Sequence, residues 1–189
     1  NKKGYFCSNR EGGKGDDDAT CCKTDAKGNI IVVGWFECPQ LIFGKMVVTN
    51  TNPGKGCEFF IVKISPEGEC LWARSAGCKG TAGDYSTCAI DRDDHIIVSG
   101  IFDGPVLDFG SCKLRNSGGS DMFLVKYSSD GNVLWARNAA GSGHDEGQSC
   151  ATDPNGNIYA GGFFTGESIT FDSITLHNHA EKTGDVFVA

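Results

Sequence analysis

The side chains able to do chemistry in this 189-residue chain are ten cysteines, four histidines and a set of recurring aspartates. His177 and His179 stand two residues apart, so a strand would turn both imidazoles to one side. A metal site would need a further ligand, and the cysteine and histidine spacings of structural zinc sites do not occur. The run DPNGN from Asp153 resembles the opening of a calcium loop, but the further oxygen ligands and the distal glutamate do not follow. Asp16 to Asp18 read as a solvated acidic loop, and GHDE from Gly143 sets an imidazole beside two carboxylates. No nucleophile elbow, zinc-protease helix motif or phosphate-binding glycine loop is present. The expectation is a protein that is not an enzyme, with no catalytic residue, no cofactor and no metal site.

The cysteines are even in number and dense, which in an oxidising compartment reads as a disulfide framework. Buried free thiols are the alternative, because cysteine packs well as a small hydrophobe. Cys22, Cys88 and Cys150 fall at matching places in different copies of a repeat, so bonds among those three are not expected. Folding the hairpin about SPEGE (Ser65 to Glu69) brings Cys57 close to Cys78, and a disulfide clamping that hairpin is expected there. The other pairings stay open.

These residues are placed by a repeat. CKTDAKGNIIVVGWF from Cys22, CAIDRDDHIIVSGIF from Cys88 and CATDPNGNIYAGGFF from Cys150 are one segment in three versions, spaced about 62–66 residues apart. CEFFIVKISPEGECLWARSAG from Cys57 likewise lies over SDMFLVKYSSDGNVLWARNAAG from Ser120, and GDVFVA from Gly184 begins the same unit again. Short β-rich runs alternate with turns that hold glycine where a hairpin needs positive φ, and no segment has a capped helical period. The middle copy reads as four strands, A around Cys88 to Asp91, B from Ile96 to Phe102, C from Met122 to Tyr127 and D from Val133 to Asn138. An excursion from Asp103 to Ser120, with counterparts from Glu37 and Thr165, separates B from C and is expected on the outside. Repeated four-stranded sheets predict an all-β propeller-type fold, either three blades or a three-blade portion of a larger propeller. The chain is read as one domain with repeats of roughly 5–63, 64–126 and 127–189.

Residues recurring once per copy are expected to serve every blade. Asp25, Asp91 and Asp153 precede the A–B turn, where a carboxylate can accept backbone N–H bonds. Glu58, Asp121 and Asp185 open strand C, and Trp72 and Trp135 are placed to pack between blades. Phe123, Lys126, Asp130, Gly131, Asn132, Trp135 and Arg137, followed by Asp153, Gly156, Asn157, Tyr159, Gly162, Phe164 and Phe171, occupy a pattern that resembles the SBBP-type β-propeller repeat. That resemblance implies a secreted or surface protein and no shared catalytic activity.

Apolar content of 39% with twelve phenylalanines excludes a disordered chain, and doubled glycine without a G-X-Y period excludes collagen. A net charge of −7 without a basic block argues against nucleic acid, and no apolar run is long enough to insert in a membrane as a helix. The expected role is an extracellular or cell-surface structural module that associates with itself or with other propeller blades. The alternative is a lectin-like or adhesive propeller that binds a glycan or protein through its loops. The chain opens at Asn1, with Tyr5 to Cys7 reading as a lone D strand, and ends at Ala189 inside a strand C. Those ends are expected either to belong to a longer propeller or to join head to tail between molecules.

Overall fold

The computed structural model describes residues 15–179 and 183–189, and among these the regular structure is entirely β. The first blade holds β1 (Asp17–Thr24), β2 (Ile30–Phe36), a hairpin of β3 (Gln40–Phe43) and β4 (Met46–Thr49), then β5 (Glu58–Ile64) and β6 (Cys70–Ala76). Strands β1-β2-β5-β6 form one antiparallel sheet in that order. The second blade repeats this plan with β7 (Thr87–Ile90), β8 (Ile96–Phe102), the hairpin β9 (Val106–Asp108) and β10 (Lys113–Arg115), β11 (Asp121–Tyr127) and β12 (Val133–Asn138). After a short β13 (Ala140–Gly141), the third blade has β14 (Asp145–Thr152), β15 (Ile158–Phe164), the hairpin β16 (Ser168–Phe171) and β17 (Ile174–His177), and β18 (Asp185–Val188). Its sheet has the order β14-β15-β18. The propeller-type fold read from the repeats is therefore present, and strands B and D of the middle copy fall on the expected residues. Each four-stranded sheet closes after its D strand, whereas the repeat limits 5–63 and 64–126 fall at the last residue of strand C. Asp17 and Asp18 start β1 rather than lying in a loop. The lone strand expected at Tyr5 to Cys7 lies outside the described residues.

Directly paired residues on neighbouring antiparallel strands share a face, so each blade presents rows. One row of the first blade runs Cys21–Val33–Ile61 and the opposite one runs Cys22–Val32–Val62. In the second blade Cys88–Val98–Val125 is the equivalent of the Cys22 row. The inner strands β1, β7 and β14 run beside one another and bring the blades together in sequence. Ile31, Val33, Phe59 and Ile61 of the first blade then meet Cys88, Val98, Phe123, Val125 and Tyr127 of the second in one buried core. The rings of Phe59 and Phe123 meet edge to face at 5.6 Å, a geometry that favours aromatic pairs beyond their area alone.

The outer strands are joined by a polar socket. Trp72 is buried, and its Nε1 donates to the Ser129 carbonyl of the second blade at 3.0 Å. Lys63 Nζ donates to the same carbonyl at 3.2 Å, and Arg74 Nε donates to the Gly131 carbonyl at 3.1 Å. Gly131 sits against the indole so closely that a Cβ there would lie 2.6 Å from Trp72, and its φ of 78° also favours glycine. The recurring Lys, Trp and Arg thus seat the SSDGN turn of the following blade. Trp135 occupies the same place in the second blade but is only half-buried.

The excursions between strands B and C are not simply external. Their hairpins turn Leu41, Val48, Leu107, Leu114 and Ile169 inward, all buried. Phe109, beside β9, packs 6.4 Å from Phe59 and 5.7 Å from Phe123, inside the junction of the first two blades. Gly77 bridges to Asp108, and β13 pairs with β16, so the hairpins of the second and third blades also hydrogen-bond to the preceding blade. The second and third hairpins gain burial from the blade before them, while Leu41 and Val48 are buried against their own sheet, which corrects the expectation of exposed connections.

Replacing Trp72 by alanine removes a buried aromatic and an inter-blade hydrogen bond. The expected loss is about 3–5 kcal/mol in urea unfolding, and Trp135→Ala should cost clearly less because its indole is half-covered.

Candidate functional site

The recurrent aspartates organise turns. Asp25 Oδ1 accepts the Lys27 and Asn29 N–H groups at 2.9 Å each, while Oδ2 takes Asn29 Nδ2 and the Lys63 ammonium at 2.8 Å. Burial works against ionisation, but Lys63 and the Asn29 donors outweigh it and hold the carboxyl at about 2. Asp91 repeats the arrangement with Asp93, His95 and Lys126 and is also held at about 2, against the opposing effect of burial. Asp153 accepts from Asn155, Asn157 and Tyr159, and the position that would match Lys63 and Lys126 falls one residue past Ala189. Asp91, Asp93 and His95 do bring three possible metal-ligating atoms together. The Lys126 ammonium, 2.8 Å from Asp91 Oδ2, already supplies the positive charge there.

Glu58, Asp121 and Asp185 tie the ends of the excursions to strand C. Glu58 Oε1 accepts from Thr51, Asp121 Oδ2 from the Ser117 N–H at 3.0 Å, and Asp185 Oδ2 from the His179 N–H at 2.9 Å. His179 lies past the end of β17 at His177 and is turned to Asp185, 3.2 Å from its Nδ1. In the GHDE run, His144 Nδ1 lies 3.1 Å from Ser120 Oγ. Among the described residues no carboxylate hydrogen-bonds the other ring nitrogen, so a nucleophilic triad is not assembled.

Asp145 is wholly buried, and neither carboxyl oxygen has a hydrogen-bond partner among the described residues. Burial, with the neighbouring Asp121 carboxylate adding to it, pushes Asp145 up to about 7. Asp121 Oδ1 is likewise unpartnered, and burial raises that carboxyl too. Asp145 therefore favours the protonated acid at mildly acid pH. The sequence showed Asp145 only as one of two carboxylates beside the His144 imidazole and gave no sign of its burial.

Cys57 and Cys78 are buried free thiols, each pushed up to about 11 chiefly by burial, and the hairpin clamp between them is not formed in the structure. Cys88 and Cys150 face the preceding blade, Cys150 Sγ lying 3.7 Å from the Thr87 carbonyl. Cys22, their counterpart, is exposed.

That exposure marks a larger feature. The first blade's Cys22 row meets no blade among the described residues. Leu41, Phe43 and Val48 of its own hairpin cover part of the face, beside an apolar depression of about 220 Å³ lined by Val32, Phe60, Val62 and Ile64. At the opposite end, the third blade shows Tyr159 45%, Val186 79% and Val188 75% exposed. The matching positions inside the stack are Ile31, Phe59 and Ile61, all 0% exposed. Strand β18 pairs only with β15 among the described residues, and its other edge is open.

These sheets, their row-to-row packing and their shared turn carboxylates define a β-propeller-type repeat. The chain is similar to an uncharacterized WD repeat-containing protein of Acanthamoeba polyphaga mimivirus, with 31% identity over 199 residues. The match covers 88% of this chain and 14% of that relative, so the chain spans about a seventh of the relative's length. No family model matches the chain.

The carboxyls give opposite pH dependences. Asp145 binds its proton more tightly folded than unfolded, so its ionisation removes stability as pH rises toward and through about 7. Asp25 and Asp91 stabilise the fold when ionised, and that contribution disappears as pH falls from about 4 through about 2. Unfolding free energy should therefore fall by about 3 kcal/mol between pH 5 and pH 8 through Asp145 alone. Asp145→Asn should flatten most of that slope in denaturant titrations, and an unchanged slope would exclude the assignment.

Proposed function

We propose that this chain is a non-enzymatic interaction and assembly module that stacks its open blade faces against further blades of the same kind, a second copy joining it head to tail. One observation carries this reading. Among the described residues, apolar positions that are sealed between blades inside the chain lie exposed on the third blade at Tyr159, Val186 and Val188, and the first blade's outer face is covered only by its own hairpin, leaving Cys22 exposed. The two ends are also different, one presenting the Cys22 row and the other the Tyr159, Val186 and Val188 side. A second copy would bring those unlike faces together as the first and second blades already meet. Such a contact is heterologous and continues into a larger ring or a filament.

The edge of β18 left unpaired among the described residues supports strand addition in the same contact, because an unpaired edge is a template for another strand. The recurrent carboxylates serve turns among the described residues, which supports a binding role over an enzymatic one. The density of cysteines and the likeness to SBBP-type repeats support an extracellular or cell-surface setting.

Sedimentation across a wide range of protein concentration tests the assembly. Weight-average mass should rise with concentration, and Val186→Lys with Val188→Lys should hold the chain as a monomer with unchanged far-ultraviolet circular dichroism. An unaltered chain that stays monomeric at the highest concentration would overturn the proposal.

A further inference from the structure

Where the first and second blades meet, β1 runs beside β7. Thr20 Oγ1 donates to the Ser86 carbonyl at 2.6 Å, and one residue further along Cys21 Sγ lies 3.4 Å from Cys88 Sγ. The two cysteines are 67 residues apart in sequence and belong to different sheets. We propose that Cys21 and Cys88 form a thiol–disulfide site, which a low-molecular-weight disulfide such as oxidised glutathione converts into a covalent staple between the first two blades.

The pair is close and unequal. A disulfide holds its sulfurs at about 2.05 Å, so the two must close by only about 1.4 Å. Cys88 is wholly buried, whereas Cys21 is partly exposed and borders a cleft of about 770 Å³ lined also by Thr20, Asp84, Tyr85 and Gln148. A small disulfide can therefore reach Cys21 and not Cys88. The Cys88 S–H donates to the Cys21 sulfur, and that bond first of all holds the Cys21 thiol down at about 5, with burial opposing it and Lys23 assisting. The same bond and its burial push Cys88 up. A thiolate is the attacking form in exchange, so Cys21 is the entry sulfur and Cys88 the resolving one.

The steps balance. The Cys21 thiolate attacks one sulfur of the oxidised glutathione, forming a mixed disulfide and expelling one glutathione thiolate. Cys88 then gives up its proton to that thiolate and attacks the Cys21 sulfur, expelling the second. Two electrons pass from the protein sulfurs to glutathione. One S–S bond breaks and one forms.

Peptide mapping of the full chain tests the site. A Cys22→Ser chain leaves Cys21 as the sole cysteine of tryptic peptide 15–23, and Cys88 is the sole cysteine of peptide 80–92. After treatment with oxidised glutathione and alkylation in denaturant, these two peptides should be recovered linked. Adding Cys21→Ser should leave Cys88 alkylated, whereas adding Cys88→Ser should leave glutathione on Cys21. The oxidised chain should also melt several degrees above the reduced one, and Cys21→Ser, which alters only a partly exposed side chain, should remove most of that difference. Recovery of Cys21 carrying glutathione beside an alkylated Cys88, or of Cys88 linked to another cysteine, would overturn the proposal.

Discussion

A narrow sheet with two apolar faces must bury both, and every other feature of this protein follows from that constraint. The row of Ile31, Val33, Phe59 and Ile61 has no solvent-facing role open to it, since all four are wholly buried against the second blade. Burial of a side chain of that size contributes about 1.5–3 kcal/mol, so one such row outweighs any surface ion pair in the molecule. The polar contacts then fix register. Trp72, Lys63 and Arg74 hold the Ser128 to Asn132 turn, and the Asp25–Lys63 and Asp91–Lys126 pairs lock the A–B turn to strand C of the same blade. The same lysine serves both contacts in the first blade, which explains why carboxylate, lysine and tryptophan recur together.

Much of this was legible in the sequence because it is local. Strands B and D of the middle blade follow from β-rich runs bounded by turns, and Gly28, Gly68, Gly131 and Gly156 adopt the positive φ their turns require. The second blade has Asp94 at the matching place, with φ of 59°, a conformation aspartate tolerates better than most residues. The turn role of Asp25 and Asp91 could be read from their shared place just before the A–B turn. Their lysine partners lie 38 and 35 residues further along, on strand C, and only the folded sheet brings them close.

The features that were not legible depend on which blade stands next to which. Alignment of the copies matched Cys22 with Cys88, yet the residue beside Cys88 in space is Cys21. A bulge between Ala19 and Cys21 sets the register there, and neighbouring blades meet through opposite faces, so equivalent residues never touch. The excursion hairpins were read as exterior for a related reason. Leu107 and Phe109 are buried by residues of the preceding blade, which no local pattern reveals. Asp145 stood in the sequence only as a carboxylate beside His144, and its burial without a hydrogen-bond partner among the described residues distinguishes it from Asp25 and Asp91.

Cys22 offers a direct probe of the central claim, since it stands on the first blade's open face at the position that Cys88 and Cys150 occupy between blades. In a Cys21→Ser chain, the alkylation rate of Cys22 by excess iodoacetamide can be followed by peptide mass over rising protein concentration. Blade stacking predicts that this rate falls as concentration rises and that Val186→Lys with Val188→Lys restores it. A rate that stays constant at every concentration would contradict the account.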